Sequence, residues 1–157
     1  MACISESFVP YVRYCSRIRR CPSNPTAYKE IPASQVKKAE QPKKVLVIGG
    51  GPSGMEAAAE LAERGHHVIL CERENELGGA MRHAKYVPFK QKVDQLMHVM
   101  IRRLERSGAE IRLRTAATPA LVESLHPDVI VAALGAKAKK PEVAGAERAI
   151  IAEDALR

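Results

Sequence analysis

An α/β fold, a parallel sheet with flanking helices, is predicted by three features of this chain. Two short apolar runs rich in β-branched residues, Val45-Leu46-Val47-Ile48 and His67 to Cys71 (HVILC), have the composition of buried parallel strands. The first empties into a glycine-rich turn, Gly49-Gly50-Gly51-Pro52-Ser53-Gly54. Between turn and second run lies a helical period whose inner face is mostly small residues. The 157 residues, 46% of them hydrophobic, suffice for one packed domain, which excludes a disordered chain. No apolar run approaches the ~18 residues of a membrane span, and four unevenly placed Cys do not form an extracellular disulfide framework.

The elements follow in order. After Val45–Ile48 the residues Gly54, Ala57, Ala58, Leu61, Ala62 and Gly65 fall on one helical face. Glu56, Glu60, Glu63 and Arg64 are assigned to the solvent side, and Gly65 to the C-terminal stop. The second strand ends at Glu72. Pro88 marks the first turn of a second helix, with an apolar stripe of Phe89, Val93, Leu96, Met97, Met100 and Leu104 that Gly108 ends. Ile111 and Leu113 alternate with Arg112 and Arg114, the pattern of a half-solvated strand. Thr118-Pro119 opens a short helix that Pro127 closes, and Asp128 to Ala133 reads as another buried strand running into Leu134-Gly135.

The turn fits G-x-G-x-x-G at Gly49, Gly51 and Gly54, and each glycine has a physical task. Gly49 permits the tight turn, Gly51 lets a pyrophosphate approach the backbone, and Gly54 allows close packing of helix on strand. The helix N-terminus offers free N–H groups and the positive end of its dipole to phosphates. Glu72 stands where a carboxylate accepts from both hydroxyls of an adenosine ribose. Strand, glycines, helix, strand and acid in this order predict a Rossmann-like dinucleotide site. The acid weighs against a 2′-phosphate, although Arg73 lies beside it. A second glycine loop, Glu76-Leu77-Gly78-Gly79, is uncommon in simple NAD domains.

These residues, with Ala133-Leu134-Gly135, Pro141 and Gly145, resemble the two-dinucleotide-binding flavoproteins of the glutathione-reductase type. The nearer likeness is to the C-terminal part of the NADH:flavin oxidoreductases of the old yellow enzyme superfamily, the group of 2,4-dienoyl-CoA reductase, 2-enoate reductase and trimethylamine dehydrogenase. It rests on Pro42 to Ala58 and Glu72 to Gly79. The resemblance implies an FAD-binding domain, with Gly49, Gly51, Pro52, Ser53 and Gly54 cradling the pyrophosphate. Glu72 would hold the adenosine ribose and Arg73 would lie beside the adenine. Gly78 and Gly79 would pass the flavin side, and Ala133 and Gly135 would line the FAD. Two departures stand out: Ala80 replaces a frequent Gln, and Leu134 replaces the Thr of Ala-Thr-Gly.

The net charge of +7 is concentrated before the domain, since residues 1–44 hold nine Lys/Arg against three Asp/Glu. The basic residues are scattered and carry no nucleic-acid motif, so neither a nucleic-acid nor a membrane partner is expected. The Arg- and Ser-rich start could pass for an organellar presequence but lacks the apolar stretch of a secretory signal. Cys3, Cys15 and Cys21 all lie in this segment, and Cys21-Pro22-Ser23-Asn24-Pro25 with Glu30 matches the end of the family's iron–sulfur motif. A [4Fe–4S] cluster takes four thiolates. With Glu6 and Val9 or Pro10 at the places of the middle two, three readings stay open: an unusual fourth ligand, a remnant without metal, or a local sequence artefact.

The expected organisation is an iron–sulfur remnant over 1–30, a polar linker over 31–42, and an FAD-binding Rossmann-like domain over 43–157, truncated at its C-terminus. The family's FMN-bearing barrel and its NAD(P)H domain are not represented, and they are expected as separately encoded partners. The resemblance implies NAD(P)H as the electron donor and a cytoplasmic setting with reduced thiols. No residue is singled out as catalytic. The expected function is that of an FAD-binding electron-transfer portion of an NAD(P)H-dependent flavin oxidoreductase. Its alternatives are a non-catalytic dinucleotide- or ADP-binding module or inactive fragment, and a small NAD-binding dehydrogenase.

Overall fold

The computed structural model describes residues 37–155, so the segment holding Cys3, Cys15 and Cys21 and most of the linker lie outside the described residues. Four parallel strands form one sheet in the order β3-β2-β1-β4. They are β1 (Lys44–Ile48), β2 (His67–Cys71), β3 (Glu110–Arg112) and β4 (Val129–Ala132). Leu46 pairs with Ile69 of β2 on one side and Ile130 of β4 on the other. Helix α1 (Pro52–Glu63) joins β1 to β2, α2 (Gln91–Ser107) precedes β3, and α3 (Pro119–Leu125) precedes β4; a single turn, α4, spans Ala152–Ala155. A 3-10 helix over Gly79–Tyr86 follows β2, and a 3-10 turn over Pro88–Lys90 leads into α2. No helix among the described residues is long and apolar enough to cross a membrane.

Side chains alternate across the strands, so the sheet has two apolar faces. Val45, Val47, Val68 and Leu70 pack with Met55, Ala58 and Ala59 of α1 and Met97 and Leu104 of α2. Leu46, Ile69 and Cys71 face the other way, against Leu125 of α3. Thr118 caps α3 by accepting from the Leu121 N–H, as the sequence predicts. Gly65 (φ +94°) and Gly108 (φ +87°) adopt the left-handed conformations that end α1 and α2. The last described residues of the linker are tied to α1, with Lys38 Nζ donating to the Glu63 carbonyl at 2.5 Å and the Ala39 N–H to that of Arg64 at 2.8 Å.

Five expectations are corrected. The inner face of α1 is rotated: Gly54, Met55, Ala58 and Ala59 are buried, while Ala57, Leu61 and Ala62 are half-covered. The cause is α2, which packs beside α1. The acids assigned to solvent, Glu56, Glu60 and Glu63, instead bind its Arg103. The regular α-helix starts at Gln91, not Pro88, and Phe89 is 84% exposed, because the residues around Pro88 form a 3-10 turn off the core. Strand β3 stops at Arg112, where Leu113 and Arg114 (φ +52°) turn away from the sheet. Strand β4 is at the sheet edge with only one strand beside it, which leaves Ile130 49% exposed rather than buried.

Candidate functional site

The C-terminal end of β1 lies where neighbouring strands lead the chain to opposite sides, the position at which open α/β sheets form their ligand crevice. Gly49 leaves the strand at φ +109°, its N–H donating to the Cys71 carbonyl at 2.9 Å. A Cβ here would stand 2.3 Å from the Ala133 carbonyl oxygen, and one on Gly54 would stand 1.8 Å from the Gly49 oxygen. Backbone therefore packs on backbone at both glycines, and Ala133 forms the floor of the turn. Gly51 differs: its φ is −73°, and a Cβ would meet nothing within 4 Å. It is the N-cap of α1, with Pro52 next, no side-chain cap and no acid in the first turn. The orphan N–H groups and positive dipole end of α1 thus stand beside open space, where an anion is stabilised.

Glu72 borders this turn and is 7% exposed. Its Oε2 accepts from the Gly50 N–H at 2.5 Å and its Oε1 from the Glu74 N–H at 2.9 Å. Its backbone is pinned as well, the N–H donating to the Arg112 carbonyl and the carbonyl accepting from Thr115, each at 2.9 Å or 2.8 Å. A carboxylate has about four acceptor positions, so two remain for a diol after these bonds.

The second glycine loop is joined to the first. The Gly78 N–H donates to the Gly50 carbonyl at 2.8 Å, and Leu77 lies against Gly50. Gly78 is buried at φ +117°, and a Cβ on Gly79 would stand 3.1 Å from the Gly51 Cα. Arg82 locks the loop from below, with Nε donating to the Gly79 carbonyl at 3.1 Å and a terminal nitrogen to Glu76 at 2.7 Å. At the end of β2, burial pushes the Cys71 thiol up from its ordinary pKa, with Arg112 opposing and Glu110 adding to the shift.

The fold thus brings together Gly49, Gly51, Gly54, Glu72, Gly78, Gly79 and Ala133, with Pro52 and exposed Ser53 at the helix start. The two other expected residues are exposed. Arg73 is exposed and pairs with Glu74 at 3.3 Å, and Gly135 (φ +71°) has open space about it. Sequence reasoning passed over Gly50, Leu77 and Arg82. Gly50 was visible as the middle of three consecutive glycines. Arg82 carried a weaker signal, its three-residue spacing from Gly79 at the start of a 3-10 turn.

The chain is similar to known proteins. A family model described as FAD dependent oxidoreductase matches residues 44–146. The chain is 40% identical over 129 residues to an NADH oxidase of Thermoanaerobacter brockii, covering 82% of this chain and 20% of that protein. It is 37% identical to a cinnamate reductase of Clostridium sporogenes, covering 87% of this chain and 20% of that one. A solved structure of 2-naphthoyl-CoA reductase with 2-naphthoyl-CoA superposes with a TM-score of 0.81 at 33% identity, over 93% of this chain and 22% of the other. The chain therefore spans about a fifth of the length of these relatives. With a glycine cradle at the end of β1 and a family match over well over half its residues, this chain belongs to the FAD dependent oxidoreductase family.

Proposed function

We propose that the chain holds FAD and relays electrons between a nicotinamide donor and an iron–sulfur or FMN acceptor, in the manner of an enoate-reductase-like or amine-dehydrogenase-like oxidoreductase. The observation that carries this reading is the open space over Gly51 at an uncapped helix N-terminus, with Glu72 at its border. In it, the N–H groups of Ser53 and Gly54 bind the pyrophosphate and the two free acceptor positions of Glu72 take the ribose diol. Gly78 and Gly79 keep the flavin side free of side chains. Bound FAD supplies the redox chemistry, and the chain supplies binding and orientation. Residues 1–30 are proposed as the remnant of an iron–sulfur segment, with Cys3, Cys15 and Cys21 as its candidate ligands, 31–42 as linker and 43–157 as the FAD domain. An FMN barrel and an NAD(P)H domain are the proposed partners, and the setting is cytoplasmic.

Separate titrations of the purified chain with FAD, NADH and ADP test this. FAD is expected to bind stoichiometrically with a flavin absorption spectrum, and iron with acid-labile sulfide in the same sample decides the role of the three cysteines. Gly51→Leu is expected to fold normally, because nothing surrounds its Cβ, yet to lose FAD. A variant that keeps wild-type flavin stoichiometry overturns the assignment. Binding of NADH alone favours the dehydrogenase reading, and binding of ADP without FAD the module reading.

A further inference from the structure

The second glycine loop, residues 76–79, holds two successive glycines at positive φ, Gly78 at +117° and Gly79 at +53°. Glycine has more backbone freedom than any other residue, so the shape of this loop depends on the contacts that hold it. Arg82 holds both of its ends. Its Nε donates to the carbonyl of Gly79, the last residue, at 3.1 Å, and its Nη1 to Oε1 of Glu76, the first, at 2.7 Å. The stem of the same side chain lies against Gly78, where a Cβ would stand 2.8 Å from Arg82 Cγ. The loop so held bears on the first glycine turn. The Gly78 N–H donates to the Gly50 carbonyl at 2.8 Å, and a Cβ on Gly79 would stand 3.1 Å from Gly51 Cα. The Gly50–Gly51 peptide is trans, so its carbonyl and its N–H are on opposite sides. With the carbonyl turned to Gly78, the Gly51 N–H is turned away from the second loop, and among the described residues it has no hydrogen-bond partner. It belongs to the N-cap residue of α1, next to the orphan donors of the first turn.

We infer that Arg82 is a positioning residue for dinucleotide binding: by clamping the second glycine loop it fixes the Gly50–Gly51 peptide, and so keeps the Gly51 N–H set as a further donor to the diphosphate. This rests on the proposed FAD site, which it deepens. Arg82 acts through the loop and not by contact with the ligand. Its planar guanidinium suits the role, because a rigid fork serves two acceptors in fixed geometry as a Lys ammonium does not. A donor fixed before the ligand arrives spares the ordering that otherwise weakens binding.

The test uses the full chain, comparing wild type with Arg82→Met and Glu76→Ala. Met keeps a stem against Gly78 and removes both donors. Arg82→Met is expected to bind FAD and ADP about three- to tenfold more weakly, each by the same factor, because both carry the diphosphate. Amide hydrogen exchange of the unliganded chain, followed by NMR, is expected to quicken at Gly78 and not in β1 or β2. The Glu76 side chain is 58% exposed, so Glu76→Ala removes one end of the clamp and leaves the fold standing. It is expected to show the same two changes at smaller size. An arginine serving stability alone predicts faster exchange across the whole sheet and unchanged affinity. The inference is overturned by wild-type affinity for both ligands in Arg82→Met, by exchange that quickens throughout the sheet or fails to quicken at Gly78, or by loss of FAD with ADP binding intact, which puts the effect on the flavin side. If Arg82→Met does not fold, Glu76→Ala decides by the same two readouts. Failure of the wild-type chain to bind either ligand is a different result, which brings down the proposed site and this inference with it.

Discussion

The glycines of the cradle do unlike things although they are neighbours. A Cβ on Gly54 collides with the Gly49 carbonyl oxygen, which is backbone and cannot step aside without moving α1 off β1. Gly54→Ala is therefore expected to lower stability by about 1–3 kcal/mol, the range of overpacked core sites, as a shift of the urea midpoint at unchanged slope. Gly51→Ala, at an ordinary φ with open space around it, is expected to change stability by less than about 0.5 kcal/mol. The pair separates the glycine that builds the fold from the one that keeps room for a ligand. Glu72 holds the fold as well as bordering the proposed site: its two internal hydrogen bonds tie the first loop to the end of β2.

Helices α1 and α2 are joined by Arg103. Its guanidinium binds Glu63 in a fork, Nε at 2.9 Å and a terminal nitrogen at 2.8 Å, and reaches Glu56 at 2.5 Å and Glu60 at 3.1 Å. The fork holds the Glu63 carboxyl below the usual carboxylate range, burial opposing, while the Arg103 guanidinium is pushed further up by Glu63. Exposed ion pairs contribute ~0.2–1 kcal/mol each, and these carboxylates are partly solvated. Arg103→Ala is expected to cost about 1–2 kcal/mol, since it also leaves three like charges on one helix face. Because the Glu63 pKa is lowered by folding, its contribution is present above the unfolded glutamate value, about 4.3, and is lost as pH falls through the folded value. Denaturation midpoints from neutrality to acid are expected to converge for wild type and Arg103→Ala; a constant gap excludes the ionic account.

At the scale of the whole molecule, one side of the sheet is less covered than the other. Among the described residues, helices α1 and α2 bury Val45, Val47, Val68 and Leu70, whereas the opposite face has only α3. There Ile130 is 49% exposed on edge strand β4; Val129, on the other face of the same strand, and Leu134 beyond its end are also exposed. An apolar edge strand is a template for pairing with another chain. The isolated chain is expected to self-associate with rising concentration, and Ile130→Lys to reduce this in light scattering, with FAD affinity unchanged. Self-association undiminished by the charge places the contact elsewhere.

The order strand, glycine turn, helix, strand, acid was legible in the sequence because each part depends on neighbours a few residues away. Continuous apolar runs in β1 and β2, small residues at helical spacing and glycines at positive φ are local necessities. From them came the parallel sheet, the cradle at Gly49 to Gly54 and Glu72 beside it. Long-range packing decided the rest. Only the packing of α2 turned Glu56, Glu60 and Glu63 from solvent to Arg103, only the edge position of β4 exposed Ile130, and only the hydrogen bond from Gly78 to Gly50 joined the two glycine loops. Periodicity says which side of an element is apolar; which element covers it, and which polar atom such as His83 Nδ1 is sealed without a partner, depends on residues distant in sequence.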